Sequence, residues 1–347
     1  MIIDFAEPVL VTGSTGFLGS RVVASLLDRG FFNIRCFVRQ SSDLDRLEAV
    51  VSHAPGVDVI RGSLLSREDC EKATSDVAVV YHLAAGTVDK SFADAFMNSV
   101  ITTRNLLDAV RQRGCLKRFV SISSFAVYTN RGKPRRGLLD ESCPVDEHPE
   151  LRGEAYCFAK AKQDELVIEY GRKHRIPYVL VRPGVVYGPG KTEITRRVGS
   201  GALGIFLHLG GSNVIPFTYV DNCAEAIVLA GIRNGVDGEV FNVVDDDLPT
   251  SRHFLRLYKR HVSPFGSIPV PRIASYVLCS IWEKYSSWSE GQLPPVFNRG
   301  AWHAYWKGCS YTNEKVKGLL GWTPRVPTAE GLRRYFESCR RRRSDVA

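Results

Sequence analysis

Continuous apolar runs, separated by helix-length stretches, recur along the first two thirds of the chain. Val9–Val11 and Val77–Tyr81 are apolar throughout rather than alternating, which is typical of strands that helices cover on both faces. Strands that alternate with helices indicate βαβ units and a parallel sheet. The predicted strands are Pro8–Thr12, Asn33–Val38, Val57–Arg61, Val77–Leu83, Arg118–Ser123, Tyr178–Arg182 and Glu239–Val244.

This pattern predicts an α/β fold, a doubly wound parallel sheet of the Rossmann type with a smaller, discontinuous C-terminal substrate domain. The alternation breaks after Pro183, in the Gly- and charge-rich stretch Gly188–Gly211. It returns to the sheet once, with a helix at Tyr219–Gly231 followed by the last predicted strand. We assign residues 1–183 and 218–247 to dinucleotide binding, 184–217 and 248–339 to substrate binding, and 340–347 to a basic, solvated tail.

Helical spacing continues toward the C-terminus. Apolar residues at Ile273, Tyr276, Val277 and Ile281 recur with a helical period. We expect this stripe to be core, as such stripes usually are. The predicted helices are Ser251–His261, Ile268–Tyr285, Asn313–Leu320 and a last one from Thr328.

Three glycines follow the first predicted strand and begin a helix that Gly30 ends. Gly13, Gly16 and Gly19 form a Gly-x-x-Gly-x-x-Gly series. Glycines there let the backbone approach a pyrophosphate held at the helix N-terminus. The series predicts dinucleotide binding, with contacts from Gly13, Thr15, Gly16, Phe17, Leu18 and Gly19.

The residue at the tip of the second predicted strand bears on the choice of dinucleotide. An NAD-specific site usually places a carboxylate there, on the ribose 2′-hydroxyl. Arg39 holds this position, and Gln40, Ser41 and Ser42 follow it. A guanidinium with neighbouring donors suits a 2′-phosphate, so we expect NADP. NAD remains the alternative, with Arg39 solvated or stacked on adenine.

A second constellation combines Tyr156-x-x-x-Lys160 with Ser124 at the end of a predicted strand. The four-residue spacing puts Tyr156 and Lys160 on one helical face. A phenol with a pKa near 10 is a poor base at neutral pH, so a nearby cation must favour its phenolate. We expect Lys160 to supply that charge, Tyr156 to transfer the proton, and Ser124 to donate a hydrogen bond to the reacting oxygen.

These motifs resemble the extended short-chain dehydrogenase/reductase family, nearest its 3β-hydroxysteroid dehydrogenase-like branch. The likeness covers nearly the whole chain. The motifs that carry it are Thr12 to Gly19, His82-Leu83-Ala84-Ala85, Ser123 to Tyr128, Tyr156 to Lys160, Arg182-Pro183, Asn213 to Asn222 and Leu293-Pro294-Pro295-Val296.

The resemblance implies further cofactor contacts. It implies that Leu83, Ala84 and Ala85 line the cofactor, and that Lys160 also binds the nicotinamide ribose. It also implies that the backbone after Pro183, at Val185 and Val186, faces the carboxamide, and that Asn98 lies near the site. Two departures concern details of cofactor binding: Ser63 and Leu64 stand where the family usually has an aspartate toward adenine, and the segment after Arg182 lacks a frequent asparagine.

The resemblance also orders the candidate reactions. Phe125 and Ala126 replace the Asp-Glu pair of sugar-nucleotide dehydratases, which disfavours dehydration. The branch implies hydride transfer to or from a secondary alcohol or ketone of a bulky, sterol-like substrate. A sugar-nucleotide 4-epimerase with tightly held NAD is the alternative, in which Arg196 and Arg197, or Arg252 and Arg256, would grip a diphosphate. A dinucleotide-binding sensor without turnover is a lesser one.

The sequence says less about binding partners than about the reaction. The insertion with Trp282, Trp288, Phe297, Trp302 and Trp306 suits a lipidic substrate or a membrane-surface contact aided by the basic tail, although such aromatics more often form a domain core. The family analogy suggests a homodimer through helices near Asn98 and Tyr156.

Composition excludes other classes of protein. Of the net charge of +9, four charges lie in Arg340–Arg343, so we expect no nucleic-acid partner. The nine cysteines include no Cys-x-x-Cys pair, which indicates neither a disulfide framework nor a metal site. Without a signal-peptide pattern at the N-terminus, and with the longest apolar stretch, Ile273–Trp282, too short to cross a bilayer, we expect a cytoplasmic protein.

Overall fold

A computed structural model describes residues 1–52, 54–86, 91–202, 204–289, 292–293 and 297–344. Each strand of the central sheet lies in a region that the apolar pattern predicts. The strands are β1 (Val9–Thr12), β2 (Ile34–Val38), β3 (Val57–Arg61), β4 (Val79–His82), β5 (Arg118–Ile122), β6 (Leu138–Leu139), β7 (Tyr178–Pro183), β8 (Val185–Tyr187), β9 (Gly199–Ala202), β10 (Ile205–His208), β11 (Phe217–Tyr219), β12 (Val240–Val243), β13 (Ser267–Pro269) and β14 (Ser310–Tyr311).

Helices connect these strands and cover both faces of the central sheet. The segment Met97–Ile101 is a π-helix, and Phe125–Val127 and Pro149–Arg152 are 3₁₀ turns. The α-helices are α1 (Gly19–Asp28), α2 (Asp45–Val51), α3 (Arg67–Ala73), α4 (Phe92–Phe96), α5 (Thr102–Arg113), α6 (Ala155–His174), α7 (Val220–Ile232), α8 (Ser251–His261), α9 (Arg272–Trp288), α10 (Arg299–Tyr305), α11 (Glu314–Leu320) and α12 (Thr328–Ser344).

The central sheet has seven parallel strands in the order β12-β7-β5-β4-β1-β2-β3. The inner strands β1, β4 and β5 are buried at every position, as their continuous apolar runs predict, whereas the edge strand β3 is largely exposed. The chain crosses from one half of the sheet to the other between β1 and β4, where Thr12 pairs with His82. In such sheets the crevice at the carboxyl ends of the two strands is the ligand site.

One apolar core lies on each face of the sheet. Helices α1 and α7 pack together on one face, and α3, α5 and α6 cover the other. The predicted return to the sheet is present, because β12 pairs with β7 at the edge. Helix α11 joins the first core through Val316 and Leu320.

The substrate-binding part is built from small sheets and aromatic packing. Strands β9, β10 and β13 form one sheet, and β8 pairs with β11. Their side chains and those of α8 and α12 form a third core, around Phe217, Phe254 and Tyr335. This core lies next to the carboxyl ends of β7 and β5, so it forms a wall beside the crevice.

Two sequence expectations are wrong at the C-terminal end. The stripe predicted as core on α9 faces solvent: Ile273, Val277 and Ile281 are 73%, 47% and 60% exposed. The reason is that α9 packs on α10 through its small side chains, Ser275 and Cys279, which are buried. The basic segment Arg340–Arg343, expected as a frayed tail, forms the last turns of α12, although its side chains are exposed.

The aromatic insertion is split between core and surface. Trp302 and Trp306 are buried, whereas Trp288 on α9 is 77% exposed. Within the described residues, no helix has the length and apolar character needed to cross a membrane. Of the predicted family segment Leu293-Pro294-Pro295-Val296, residues 294–296 lie outside the described residues.

Candidate active site

The glycine series forms a close-packed turn between β1 and α1. Gly13 adopts φ +71°, and a Cβ there would lie 2.9 Å from the backbone nitrogen of Ala84. A Cβ on Gly19 would lie 2.0 Å from the carbonyl oxygen of Gly13. Leu18 precedes α1, and its apolar side chain cannot cap the helix. Helix α1 thus begins without a side-chain cap, directly after a turn that fits a dinucleotide pyrophosphate.

A cavity of about 300 Å³ opens beside this turn, between the carboxyl ends of β1, β2 and β4. The Arg39 side chain is exposed at its rim, and the backbone N–H of Arg39 donates to the Ser42 hydroxyl at 3.1 Å. The backbone N–H of Ser63, where the family usually has an aspartate, donates to the Asp69 carboxylate at 2.8 Å. The predicted residues that line this cavity are Gly13, Thr15, Gly16, Arg39, Ser63, Leu64, Leu83, Ala84, Ala85 and Asn98.

A second cavity, of about 250 Å³, shares Gly13, Gly16, Leu83 and Ala85 with the first and continues toward β5 and α6. The two cavities therefore adjoin at the glycine turn. The predicted residues that line the second cavity are Gly13, Gly16, Phe17, Leu18, Gly19, Leu83, Ala85, Ser124, Tyr156, Lys160, Pro183 and Val186.

Ser124, Tyr156 and Lys160 come together because β5 ends where the first turns of α6 pass over it. The Ser124 hydroxyl accepts a hydrogen bond from the backbone of Ala126 at 3.1 Å, which orients it. Burial raises the pKa of Tyr156 to about 12, although a hydrogen bond with Ser124 lowers it. Tyr156 is therefore protonated at neutral pH. In the protein alone, burial therefore outweighs the lowering of the Tyr156 pKa that we expected from Lys160.

Lys160 is held inside the protein by two acceptors. Its ammonium donates to the Ile122 carbonyl oxygen at 2.6 Å and to Gln163 Oε1 at 2.9 Å. The side chain is only 3% exposed. Burial lowers the pKa of Lys160 to about 8, while the Asp164 charge raises it. Lys160 thus changes charge within the physiological pH range.

A buried hydrogen-bonded chain continues from Lys160 to the glycine turn. Gln163 Nε2 donates to the Thr103 hydroxyl at 2.8 Å, and the same hydroxyl lies 2.8 Å from His82 Nε2. His82 Nδ1 in turn lies 2.8 Å from the Thr12 hydroxyl. Burial lowers the pKa of His82 to about 3, and the Lys160 charge lowers it further, so this imidazole is neutral. This series of hydrogen bonds fixes the position of Lys160 relative to β1.

An ion pair lies beneath the same site. The Arg182 Nε donates to the Asp164 carboxylate at 3.0 Å, and both side chains are almost fully buried. Ser123 donates to the same carboxylate oxygen at 2.8 Å, and Arg182 also donates to the Tyr128 hydroxyl at 2.9 Å. The arginine noted in the Arg182-Pro183 motif therefore links β7, α6 and the turn that carries Ser124.

A third cavity, of about 450 Å³, lies between the catalytic candidates and the aromatic core. Ser124, Tyr156, Gly184 and Val186 line both this cavity and the second one. Val185, the remaining predicted site residue, lines the third cavity. Among its other walls are the apolar and aromatic side chains Phe125, Tyr187, Ile194, Phe217, Phe254, Tyr305 and Tyr335.

Sequence reasoning missed a polar cluster in this third cavity. Glu154, two residues before Tyr156, accepts from the Tyr305 hydroxyl at 2.6 Å and from Arg196 at 2.6 Å. Arg197 is buried and donates to the Ala304 carbonyl oxygen at 3.1 Å. No sequence motif could identify Glu154 and Tyr305, since they are 151 positions apart. Gln163 and Thr103 were also missed.

Comparison with known proteins identifies the family to which this chain is similar. The sequence profile of the NAD dependent epimerase/dehydratase family matches residues 9–243. This span contains all seven strands of the central sheet, together with Ser124, Tyr156 and Lys160.

Curated relatives differ in their activities. A trifunctional UDP-glucose 4,6-dehydratase, epimerase and reductase of Arabidopsis thaliana is 30% identical over 68% of this chain, and the chain spans 36% of that protein's length. A farnesyl-dihydroquinoline-1-oxide ketoreductase of Stigmatella aurantiaca is 27% identical, with 93% of each chain covered. A sterol-4-alpha-carboxylate 3-dehydrogenase of Saccharomyces cerevisiae is 27% identical, with 94% of this chain and 96% of the relative covered.

Solved structures agree in fold. The UDP-glucuronic acid 4-epimerase of Bacillus cereus, in complex with NAD, superimposes with a TM-score of 0.71 at 21% identity. The match covers 96% of this chain and 99% of that one. At this identity the likeness is one of fold.

Proposed function

This chain belongs to the NAD dependent epimerase/dehydratase family and is an NAD(P)-dependent enzyme of the extended short-chain dehydrogenase/reductase type; on that premise we propose that it is an oxidoreductase. It transfers hydride to or from a secondary alcohol or ketone of a bulky substrate. The observation that carries the proposal is the junction of two cavities, where Ser124 and Tyr156 line both. A carbon that receives hydride must lie at such a junction.

Residues of this chain supply the proton and stabilise the charge that develops on the substrate oxygen. When bound, a reduced nicotinamide supplies the hydride. Tyr156, protonated because burial raises its pKa to about 12, donates its proton to the carbonyl oxygen as that oxygen gains charge. Ser124 donates a hydrogen bond to the same oxygen. Lys160 holds a positive charge below pH about 8 and stabilises the phenolate that Tyr156 becomes.

Dehydration has weaker support in this cavity. Phe125 is buried and packs on Tyr128 and Tyr311, so this position offers no acid. Glu154, a half-buried carboxylate in the cavity wall, already accepts hydrogen bonds from Arg196 and Tyr305.

The cavity wall supports a bulky, largely apolar substrate. The aromatic residues in the wall of this space of about 450 Å³, besides Tyr156, are Phe125, Tyr187, Phe217, Phe254, Tyr305 and Tyr335. Two of the relatives that match over more than nine tenths of both chains carry names with a farnesylated and a sterol substrate, and a third is named as a 2-alkyl-3-oxoalkanoate reductase. We propose a sterol-like or prenylated alcohol or ketone.

A sugar-nucleotide 4-epimerase is the second candidate, because Arg196 and Arg197 do line the substrate cavity. Both guanidinium groups are engaged within the protein, Arg196 with Glu154 and Arg197 with Ala304 and Tyr311. Arg252 and Arg256 are exposed on α8 and do not line this cavity. A diphosphate would therefore have to displace existing contacts.

We propose that NADP is the preferred cofactor. The Arg39 side chain and the Ser42 hydroxyl line the cavity at the tip of β2, where a 2′-phosphate would lie. Arg61 donates to the backbone oxygen of Gln40 at 2.9 Å and adds a second positive charge near the loop. Charge-assisted contacts of this kind are worth about 1.5–3 kcal/mol each.

We also propose a homodimer through α4 and α6. These helices pack together through Phe92, Phe96 and Phe158. Phe92 and Met97 remain 40% and 43% exposed, which leaves an apolar surface next to the site. Sedimentation analysis of a Met97→Glu variant tests this, since a charge in the interface should yield monomers.

The nine cysteines support a cytoplasmic location. All are unpaired in the structure, and all but the exposed Cys115 are buried. Unpaired buried thiols are typical of proteins from reducing compartments.

One experiment separates the candidate functions. The purified protein is denatured and any released dinucleotide is identified by mass spectrometry, while stripped protein is titrated with NADPH and NADH by fluorescence. An exchanging oxidoreductase should be empty and should bind NADPH more tightly. Stoichiometric retained NAD would instead support the epimerase and refute the NADP proposal.

The catalytic assignment has its own test. Tyr156→Phe should reduce turnover of a ketone panel by about 10²- to 10⁴-fold while leaving NADPH affinity nearly unchanged. Tyr170→Phe is the matched control on the same helix, because its hydroxyl donates to Asp108, away from the cavities. Substantial activity in the Tyr156 variant would refute the assignment.

A further inference from the structure

Helix α9 presents its apolar side to solvent. Its buried residues are Ser275, Cys279 and Ser286, which are small or polar. Large apolar side chains on the other side remain exposed: Ile273 (73%), Val277 (47%), Leu278 (52%), Ile281 (60%), Tyr285 (50%) and Trp288 (77%). In an ordinary surface helix the apolar stripe faces the core, so this helix is reversed.

The exposed side chains form one continuous face. At about 100° per residue, they fall together with Ala274 within an arc of about 140°. Lys284 is the one charged residue within this arc, and its long stem can lie along apolar surface while the ammonium reaches water. An exposed apolar face of this kind marks an interaction surface.

The orientation of α9 is set by specific contacts on its other side. The Trp302 indole donates to the Ser275 hydroxyl at 2.9 Å, and the Tyr276 ring packs edge-on against Trp302 at 4.9 Å. Farther along, Glu283 and Arg299 form an ion pair at 3.0 Å. These contacts to α10 and its neighbourhood hold the apolar face outward.

Basic residues lie on α9 and on the elements that it packs against. Arg272 and Lys284 are exposed on α9 itself. Burial, together with the charges of Lys307, Arg131 and Arg299, lowers the pKa of His303 on α10 to about 4, so these cations act on the neighbourhood of α10. Arg272 likewise lowers the pKa of Lys307, after burial. The surroundings are thus suited to a negatively charged surface.

We propose that α9 is an interfacial helix that docks on an anionic lipid bilayer, with its apolar face among the acyl chains and the flanking cations at the phosphates. Its Tyr285 and Trp288 rings, stacked 5.8 Å apart at the C-terminal end, are the residue types that favour the headgroup level. The helix has 17 residues and lies along the surface rather than crossing it.

A second copy of this chain fits the same face less well. Each chain carries a net charge of +9, so two copies repel one another. Like charges across an interface disfavour association, whereas anionic lipid attracts them. The bilayer is therefore the occupant that both the apolar side chains and the charges favour.

The first test is co-sedimentation of the full chain with phosphatidylcholine vesicles, with and without phosphatidylglycerol. Binding should require or strongly prefer phosphatidylglycerol and should weaken with salt. A Val277→Ser/Ile281→Ser/Trp288→Ser variant should lose at least about tenfold in partitioning. The matched control, Phe5→Ser/Phe32→Ser/Leu151→Ser, removes three exposed apolar side chains elsewhere and should bind like the parent.

The second test locates the contact. Lipids brominated in their acyl chains should quench part of the tryptophan fluorescence, and Trp288→Phe should remove that quenching. Absence of binding, equal loss in the control variant, or quenching that Trp288→Phe leaves unchanged would overturn the proposal. So would sedimentation analysis that finds a dimer broken by the α9 substitutions. The assays need no turnover, so they fail or succeed independently of the proposed reaction.

Discussion

Gln163→Leu should move the alkaline limit of activity to lower pH. Gln163 Oε1 is one of two acceptors for the Lys160 ammonium, at 2.9 Å, and the site is buried. Burial already lowers the pKa of Lys160 from 10.5 to about 8. Removal of an acceptor disfavours the charged form further, so the pKa of Lys160 should fall again.

The size of the shift follows from the lost contact. A hydrogen bond from a charged donor contributes about 1.5–3 kcal/mol, and one pKa unit corresponds to about 1.4 kcal/mol. The pKa of Lys160 should therefore fall by about one to two units. Because an amine is charged below its pKa, activity that needs the ammonium should be lost as pH rises through about 8 in the parent, and at correspondingly lower pH in the variant.

The assay is the pH profile of kcat/KM for ketone reduction, followed by NADPH absorbance. This parameter reports ionisations of the free enzyme. Gln163→Glu should move the alkaline limit of activity to higher pH, since a carboxylate beside Lys160 should raise the pKa of Lys160. Lys162→Leu on the exposed side of α6, where Lys162 pairs with Glu165, should change nothing. Parent and Gln163 variants with the same alkaline limit would refute the reasoning.

Three further predictions concern the frame around the site. Asp164→Leu and Arg182→Met should each lower the free energy of unfolding by about 3–5 kcal/mol in urea titrations, because each strands a buried charge, whereas the double variant should approach the parent; an equally unstable double variant would contradict this. Gly19→Ala should weaken dinucleotide binding at least about tenfold in fluorescence titrations, since its Cβ meets backbone at 2.0 Å, while Gly132→Ala, which meets nothing within 4 Å, should bind normally. Arg39→Asp should shift the ratio of NADPH to NADH affinity toward NADH by about tenfold or more; an unchanged ratio would make Arg39 a surface residue.

Local pattern was sufficient for the sheet and for the position of the candidate site. Seven apolar runs predict the seven strands of the central sheet, because a strand buried on both faces has to be apolar throughout. The glycine series and Ser124 each follow such a strand. Since the carboxyl ends of parallel strands lie at one edge, residues far apart in the chain were predicted to meet there.

The same reasoning could not supply the electrostatics of the site. From the sequence, Lys160 beside Tyr156 implied a lowered phenol pKa, but the structure buries Tyr156 enough to raise that pKa instead. The acceptors of Lys160 and the contacts of Glu154 come from distant parts of the chain. Burial and partner identity are properties of the packed molecule, so no local pattern encodes them.

Helix α9 shows the limit most clearly. The sequence by itself predicted an amphipathic helix over Ile268–Tyr285, because its apolar residues recur with the period of a helix, and the structure has that helix at Arg272–Trp288. It did not determine which side faces inward. The tertiary structure decided that through the bond between Ser275 and Trp302 and the ion pair between Glu283 and Arg299, which hold the small side chains against α10 and leave the apolar side in solvent. Periodicity records that two faces differ, and only the neighbours of a helix decide which of them is covered.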